Sequence, residues 1–405
     1  MLRNLVPVLL LAILVLNVTV TAPAQERVLR VYNYSQYIDP EVLEIFQRET
    51  GIRVVYDEFE SAEEAWAKLI AGGGGYDLIV LAHTHLKLAI DRGLLQRIDK
   101  NQIPNLAYLD PRLRGYPADP NMDYSIPYSW GATVIAYNKD CVRDPPRSWR
   151  EFLSPDYLKR YSGRVVLLSE GTDVVEATMI ALGYDINDEA SWSKEVIDKV
   201  IDHLKKIRGY LRGFWGVTDI TQKLIAGEIC LAQAWTGDVL FMMSESDRVD
   251  FIVPEDGLYI WIDFMVIPRD ARNVGEAHLF INFLLRPDIA ARNAKYTYYP
   301  PPIDREVLRS YAVKVGDSEL LSLIDSGLLY LEGYEFIMSP YLDESKLEAV
   351  TRVMMEVQAG RPLGLYLAIA VLALVAIASI IVLLRRRKQS ELELIGEKMR
   401  WAVLA

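Results

Sequence analysis

Apolar positions change period repeatedly over the first hundred residues, and each change marks an element. Val28 to Tyr34 is a β-rich run. Pro40 to Thr50 then sets Val42, Leu43, Ile45 and Phe46 on one helical face, and Gly51 is suited to end that helix. Ile52 to Phe59 returns to strand composition. Ser61 and Glu64 form a capping box ahead of Ala62, Ala65, Trp66, Leu69 and Ile70 at helical spacing. A glycine run, Gly72 to Gly75, precedes a third strand, Tyr76 to Ala82, and a further short helix ends at Gly93. This alternation predicts a parallel sheet flanked by helices. Ligands of such sheets bind beyond the carboxyl ends of the strands, which nominates Tyr34 to Tyr37, Glu60-Ser61 and Ala82 to His85. Two later apolar runs, Trp130 to Asn138 and Trp261 to Pro268, suit segments crossing between two lobes, although ordinary central strands have the same composition.

The ends of the chain carry a different pattern. Arg3, the uncharged run Leu5 to Leu16 and the small-x-small triplet Ala22-Pro23-Ala24 read as an export signal, 1–24, with cleavage before Gln25. The apolar stretch continues to Val20, so an uncleaved anchor is the alternative. Leu363 to Leu384 contains no charged residue, and at about 1.5 Å per residue it spans roughly 33 Å as a helix. Arg385-Arg386-Arg387-Lys388 follows at once. We therefore expect a transmembrane helix at 363–384, a cytoplasmic tail at 385–405, and the body of the protein outside the cell.

The remaining body, about 335 residues, fits two lobes of ordinary domain size. The formal net charge is −11 although both ends are basic, and an acidic body argues against a nucleic-acid partner. Cys141 and Cys230 are the two cysteines; a disulfide and a buried free thiol both fit. Gly72 to Gly75 precedes a strand and lacks a following Lys-Ser or Lys-Thr, so it reads as a flexible loop rather than a phosphate cradle. His83 and His85, on alternate sides of an extended chain, point to opposite faces and do not share a metal. No nucleophile elbow, zincin motif or Walker loop accompanies the four histidines. No catalytic residue, metal or cofactor is expected.

Five stretches carry a family resemblance: VYNYSQYIDPEVLEIFQRETGIRVVYDEFES (31–61), YDLIV (76–80), DYSIPYSWGATVIAYN (123–138), GLYIWIDFMVIP (257–268) and INFLLRPDIAARNAKYTYYPPP (281–302). In this order, over about Val28 to Gly360, the chain resembles the extracytoplasmic substrate-binding proteins of ABC importers, in the spermidine/putrescine-binding branch. The resemblance implies an α/β, two-lobed periplasmic-binding-protein-like fold (type II) with a hinge. Lobe 1 would comprise 25–137 and 263–304, and lobe 2 would comprise 138–262 and 305–360. It also implies a small cationic solute, a polyamine, as ligand, and ABC permease and ATPase subunits as partners.

Carried over by position, the implied ligand contacts are Glu170, Asp173, Trp235, Trp261, Asp263, Tyr299 and Glu335, with Tyr34, Ser35, Gln36, Tyr37 and Thr84 on lobe 1. Rings would sandwich the methylenes while acids pair with the ammoniums, because a buried ammonium needs a counter-charge and an aromatic face adds only about 0.5–2 kcal/mol. The chain departs from the branch where Tyr34-Ser35-Gln36-Tyr37 replaces Trp-x-Glu-Tyr, which loses an acid, and where Ala82 and Thr84 replace a serine and a tyrosine. Trp235 and Trp261 also suit a core, and Glu170 and Asp173 suit a helix N-terminus. Alternative readings keep the fold with another small solute (another cation, an amino acid-like compound or iron), or make the chain a membrane-attached sensor or extracellular enzyme.

Overall fold

The computed structural model describes residues 27–358. The expected export signal and the segment 363–405 lie outside the described residues. Among those described, no helix is long and apolar enough to cross a membrane.

The opening alternation folds as its pattern predicts. Strand β1 (Val28–Tyr34) leads to helix α1 (Pro40–Thr50), whose start is fixed by the Asp39 carboxylate accepting the Glu41 N–H. Gly51, at φ 69°, ends it and donates to the Gln47 carbonyl. Then come β2 (Arg53–Phe59) and α2 (Ala62–Ile70), where Ser61 Oγ accepts the Glu64 N–H at 3.3 Å. Strand β3 (Leu78–Ala82) runs directly into α3 (His83–Asp91). The glycine run is not a loose loop: Gly72 to Gly75 all have positive φ and form a left-handed turn. A Cβ on Gly73 would lie 2.8 Å from Pro268 Cβ, so the turn packs where only glycine fits.

The long strand β4 (Ser125–Asn138) is followed by β5 (Val165–Leu168), α4 (Gly171–Leu182), α5 (Lys194–Ile207), β6 (Leu211–Trp215) and β7 (Leu231–Trp235). Next are α6 (Thr236–Glu245), β8 (Val249–Ile252) and β9 (Leu258–Val266). The chain goes on through α7 (Pro287–Thr297), α8 (Arg305–Val315), β10 (Phe336–Met338) and α9 (Glu344–Gln358).

These elements form two compact units. Unit 1 holds the described residues up to Val134, with Trp235–Asp247 and Leu258–Asp343; unit 2 holds Ile135–Ala234, Arg248–Gly257 and the described residues from Glu344. In unit 1, β1 pairs in parallel with β2 and β3, and β9 pairs antiparallel with β3 and with the first part of β4. β10 pairs in parallel with the start of β9. Leu78, Val80, Ile260, Ile262 and Phe264 are all nearly inaccessible in its core. In unit 2, β5 pairs in parallel with β6 and β7, and the second part of β4 pairs antiparallel with β8.

This division differs from the one read from sequence. The chain leaves unit 1 between Val134 and Ile135, inside the first apolar run, but β9 lies wholly within unit 1, so the second run is a central strand and not a crossing. Residues 235–247 and 305–343 belong to unit 1 rather than to lobe 2. Pairing of β10 with β9 is what draws the later segment there.

Cys141 and Cys230 form a disulfide within unit 2, 89 residues apart in sequence. Closing a loop of that length restricts the unfolded chain, so replacing both cysteines with serine is expected to lower the unfolding free energy of the protein by about 2–5 kcal/mol. A urea titration of the variant beside the parent, reading unit 2 unfolding, checks this.

Candidate ligand-binding site

In unit 1 five predicted residues meet at the carboxyl end of β1, on β9, and at the end of α7. Residues two apart on a strand share a face, so β9 presents Trp261 and Asp263 together. In register, Asp263 lies opposite Ala82 of β3 and Ser129 of β4. The Tyr37 hydroxyl, just beyond β1, donates to Asp263 Oδ2 at 3.0 Å. Tyr299 follows α7, which ends in Tyr298 at φ 58°, an uncommon left-handed conformation for a bulky residue. The Tyr299 ring stands edge-on to Tyr37 at 5.5 Å and tilted against Trp261 at 5.4 Å. Trp235, at the end of β7, meets Trp261 at 6.1 Å. Tyr34 meets Tyr37 at 5.7 Å. The result is a continuous aromatic wall with Asp263 set into it.

Two glycines make room for this wall. A Cβ on Gly131 would lie 2.6 Å from the Trp261 ring, and one on Gly237 would lie 2.5 Å from the Tyr299 ring. Both rings therefore rest on bare backbone. Thr236 Oγ1 accepts the Ala132 N–H at 3.2 Å, and Ser129 Oγ donates to the Pro300 carbonyl at 3.1 Å, tying α6 and the corner after Tyr299 to β4.

The same geometry exposes an acid that sequence reading passed over. Asp238, in the first turn of α6, accepts a short hydrogen bond from the Tyr299 hydroxyl. Burial pushes its carboxyl up to about 6, against the opposing pull of the Tyr299 hydrogen bond. No lysine or arginine among the described residues pairs with it. The available signal was Trp235-x-x-Asp238, an acid in the first turn of a helix that follows a predicted site tryptophan. Burial, with Asp263 beside Tyr37 and Asp238 beside Tyr299, holds both phenols well above the usual tyrosine range, so each remains a donor. Two carboxylates are thus each capped by a tyrosine hydroxyl, and the two tyrosines touch. The Trp261 indole N–H is buried with no acceptor among the described residues.

The other predicted residues are placed less centrally. Ser35 uses its N–H on the Phe59 carbonyl, and Gln36 is exposed, at φ 57°, with its N–H on Glu58 Oε1. Thr84 is buried, its hydroxyl 3.1 Å from His85 Nδ1. Glu335 is exposed and precedes Phe336, which pairs with Leu258. At a rise of about 3.3 Å per residue it lies roughly 20 Å along β9 from Asp263, so the structure does not bring it into the cluster. Glu170 and Asp173 belong to unit 2, at the start of α4. Glu170 occupies the capping position without a side-chain bond to the helix, and the Asp173 carbonyl accepts from Gln233 Nε2 at 2.8 Å.

His83 and His85 sit in the first turn of α3, not on an extended chain. His85 stacks on Trp66 at 5.2 Å and His83 meets the edge of Tyr116 at 6.3 Å. Burial lowers their pKa values to about 3 and about 4. Among the described residues no group of three or more histidine, cysteine, aspartate or glutamate side chains is arranged to hold a metal.

Comparison with known proteins gives a consistent pattern. Residues 41–314 match the family model described as bacterial extracellular solute-binding protein. The spermidine/putrescine-binding periplasmic protein of Escherichia coli K12 is 35% identical over 67% of this chain and 76% of its own. The putrescine-binding periplasmic protein PotF of the same organism is 34% identical over 69% of this chain and 79% of its own. Among solved structures, a putative spermidine/putrescine ABC transporter protein from Listeria monocytogenes superimposes with a TM-score of 0.73 at 29% identity, covering 83% of this chain and 100% of that one.

Proposed function

Because the chain belongs to the bacterial extracellular solute-binding proteins, in the spermidine/putrescine-binding family, we propose that it captures a polyamine outside the cell and delivers it to an ABC permease. The carrying observation is the pair of tyrosine-capped acids, Asp263 and Asp238, set in one aromatic wall. An ammonium leaving water needs a carboxylate, and the methylenes between ammoniums need an apolar face; the wall supplies both. Asp238 replaces the acid that the sequence lacks at Gln36. Glu170 and Asp173, on unit 2, are proposed as further ligand acids, and Tyr34, Trp235, Trp261 and Tyr299 as ring contacts. The proposal assigns no catalytic residue. It keeps segment 363–384 as a membrane tether, with the cluster Arg385 to Lys388 on the cytoplasmic side. A tether raises the concentration of receptor near its permease without any new contact.

The test is thermal unfolding of the full chain with added solutes. Putrescine or spermidine at about 100 times the dissociation constant adds about 2.7 kcal/mol of stability, whereas a dicarboxylate of similar length adds none. Stabilisation by the dicarboxylate alone would reject the proposal. The unpaired Trp261 N–H favours a second reading, a solute bearing an acceptor as well as an ammonium. An ω-amino acid stabilising more than either polyamine would select it.

Gly237→Ala is expected to weaken amine binding by about tenfold or more, near 1.4 kcal/mol, because its methyl group displaces the Tyr299 ring and with it the bond to Asp238. Titration of the variant with putrescine, beside a melting curve to show that it folds, measures the effect.

A further inference from the structure

The loop between β1 and α1 carries Tyr37 to Asp263, and its conformation is not self-supporting. Gln36 adopts φ 57°, a left-handed conformation that side chains rarely take. Four ties hold the loop. Ser35 N–H donates to the Phe59 carbonyl at 3.0 Å, Gln36 N–H to Glu58 Oε1 at 3.1 Å, and Asp39 N–H to Asn293 Oδ1 at 2.9 Å. The fourth reaches Tyr37 itself: the Tyr128 hydroxyl, on β4, donates to the Tyr37 carbonyl at 2.5 Å.

Tyr128 is built for that task. It is 5% exposed, and its ring stands edge-on to the Tyr37 ring at 5.3 Å. Its hydroxyl accepts from Asn33 Nδ2 at 3.2 Å, and Asn33, 1% exposed, uses its Oδ1 on the Tyr34 N–H at 2.8 Å. An accepted bond from Asn33 turns the single phenolic proton toward the Tyr37 carbonyl, since a phenol has one proton to give. Both the backbone and the ring of Tyr37 are therefore set by one neighbour.

We propose that Tyr128 is a positioning residue of the ligand site, fixing the Tyr37 backbone and ring so that the Tyr37 hydroxyl stays on Asp263. The proposal rests on the polyamine reading of that site. Tyr128 acts through Tyr37, so its contribution to affinity exists only while the Tyr37 hydroxyl is present. A residue that merely stabilised the unit would act on binding independently of Tyr37.

Equilibrium dialysis of putrescine and of spermidine against the full chain separates these cases, using the parent, Tyr128→Phe, Tyr37→Phe and the double variant. Tyr128→Phe is expected to weaken both amines at least fivefold, and Tyr37→Phe at least as much. The double variant should bind no more weakly than Tyr37→Phe alone, because the two changes break one linked device. Should Tyr128→Phe fail to fold, Asn33→Ser, which takes away the Asn33 bond to the Tyr128 hydroxyl without removing that hydroxyl, is expected to show the same dependence on Tyr37. Unchanged affinity in folded Tyr128→Phe, or losses that multiply in the double variant, would overturn the proposal while leaving the polyamine reading intact. Failure of the parent to bind either amine would overturn both.

Discussion

Replacing Asp263 by asparagine is expected to weaken putrescine or spermidine binding by about 2–5 kcal/mol, a loss of roughly 30- to 5,000-fold. Asparagine keeps the size of the side chain and an oxygen to accept from Tyr37 (3.0 Å in the parent), so the change removes charge and little else. The cost is large because an ammonium among Tyr37, Trp261 and Tyr299 has surrendered water and then lacks its counter-charge. Asp77 provides the control. It is 1% exposed and accepts the N–H groups of Arg30, Arg272 and Asn273 together with the Asn273 amide. Asp77→Asn should cost stability without a selective loss of affinity. Isothermal titration and melting curves on the two variants, run side by side, distinguish a binding acid from a structural one.

Acidification from pH 7 to pH 4.5 is expected to destabilise the free protein through His83 and His85. Their folded-state pKa values, about 3 and about 4, lie below the 6.5 of an unperturbed histidine, so the unfolded chain binds protons that the native chain refuses. Their contribution is complete above pH 6.5 and is lost as pH falls toward the folded values. At about 1.36 kcal/mol per unit, each histidine loses roughly 2.5 kcal/mol at pH 4.5. Asp238 works in the other direction. Its carboxyl, raised to about 6, takes up a proton in the native state first and returns about 2 kcal/mol over the same interval. The three groups together therefore predict a net loss of about 3 kcal/mol. Urea midpoints of the parent and of a His83→Gln/His85→Gln variant at both pH values test this; the variant should show no such loss.

The fate of these two histidines shows where sequence stops being informative. Strand β3 passes into α3 with Ala82 at the capping position and no side-chain cap, so neither a turn residue nor a capping residue announces the helix. The glycine run misleads for a related reason: its left-handed turn is required by Pro268, nearly two hundred residues away. By contrast Gly51 and Ser61 act on their own helices, and the β-α-β-α-β opening was legible with their help. Tyr37, Trp235, Trp261, Asp263 and Tyr299 were legible through family resemblance, and the structure brings them together. Asp238 and Tyr128 were not, because what distinguishes them is a partner. An aspartate in a helix first turn and a tyrosine in an apolar strand are ordinary until Tyr299 and Tyr37 are seen beside them. The compact units differ from the lobes expected from sequence for a similar reason, since β10 joins unit 1 through a pairing with β9 that local pattern does not encode.

Isothermal titration of the full chain with putrescine and then spermidine at neutral pH is the most direct measurement. Saturable heat with one site per chain, abolished or strongly weakened in Asp263→Asn, is the predicted result. A folded protein that gives no heat with either amine, or whose affinity is indifferent to the charge at Asp263, would contradict the account.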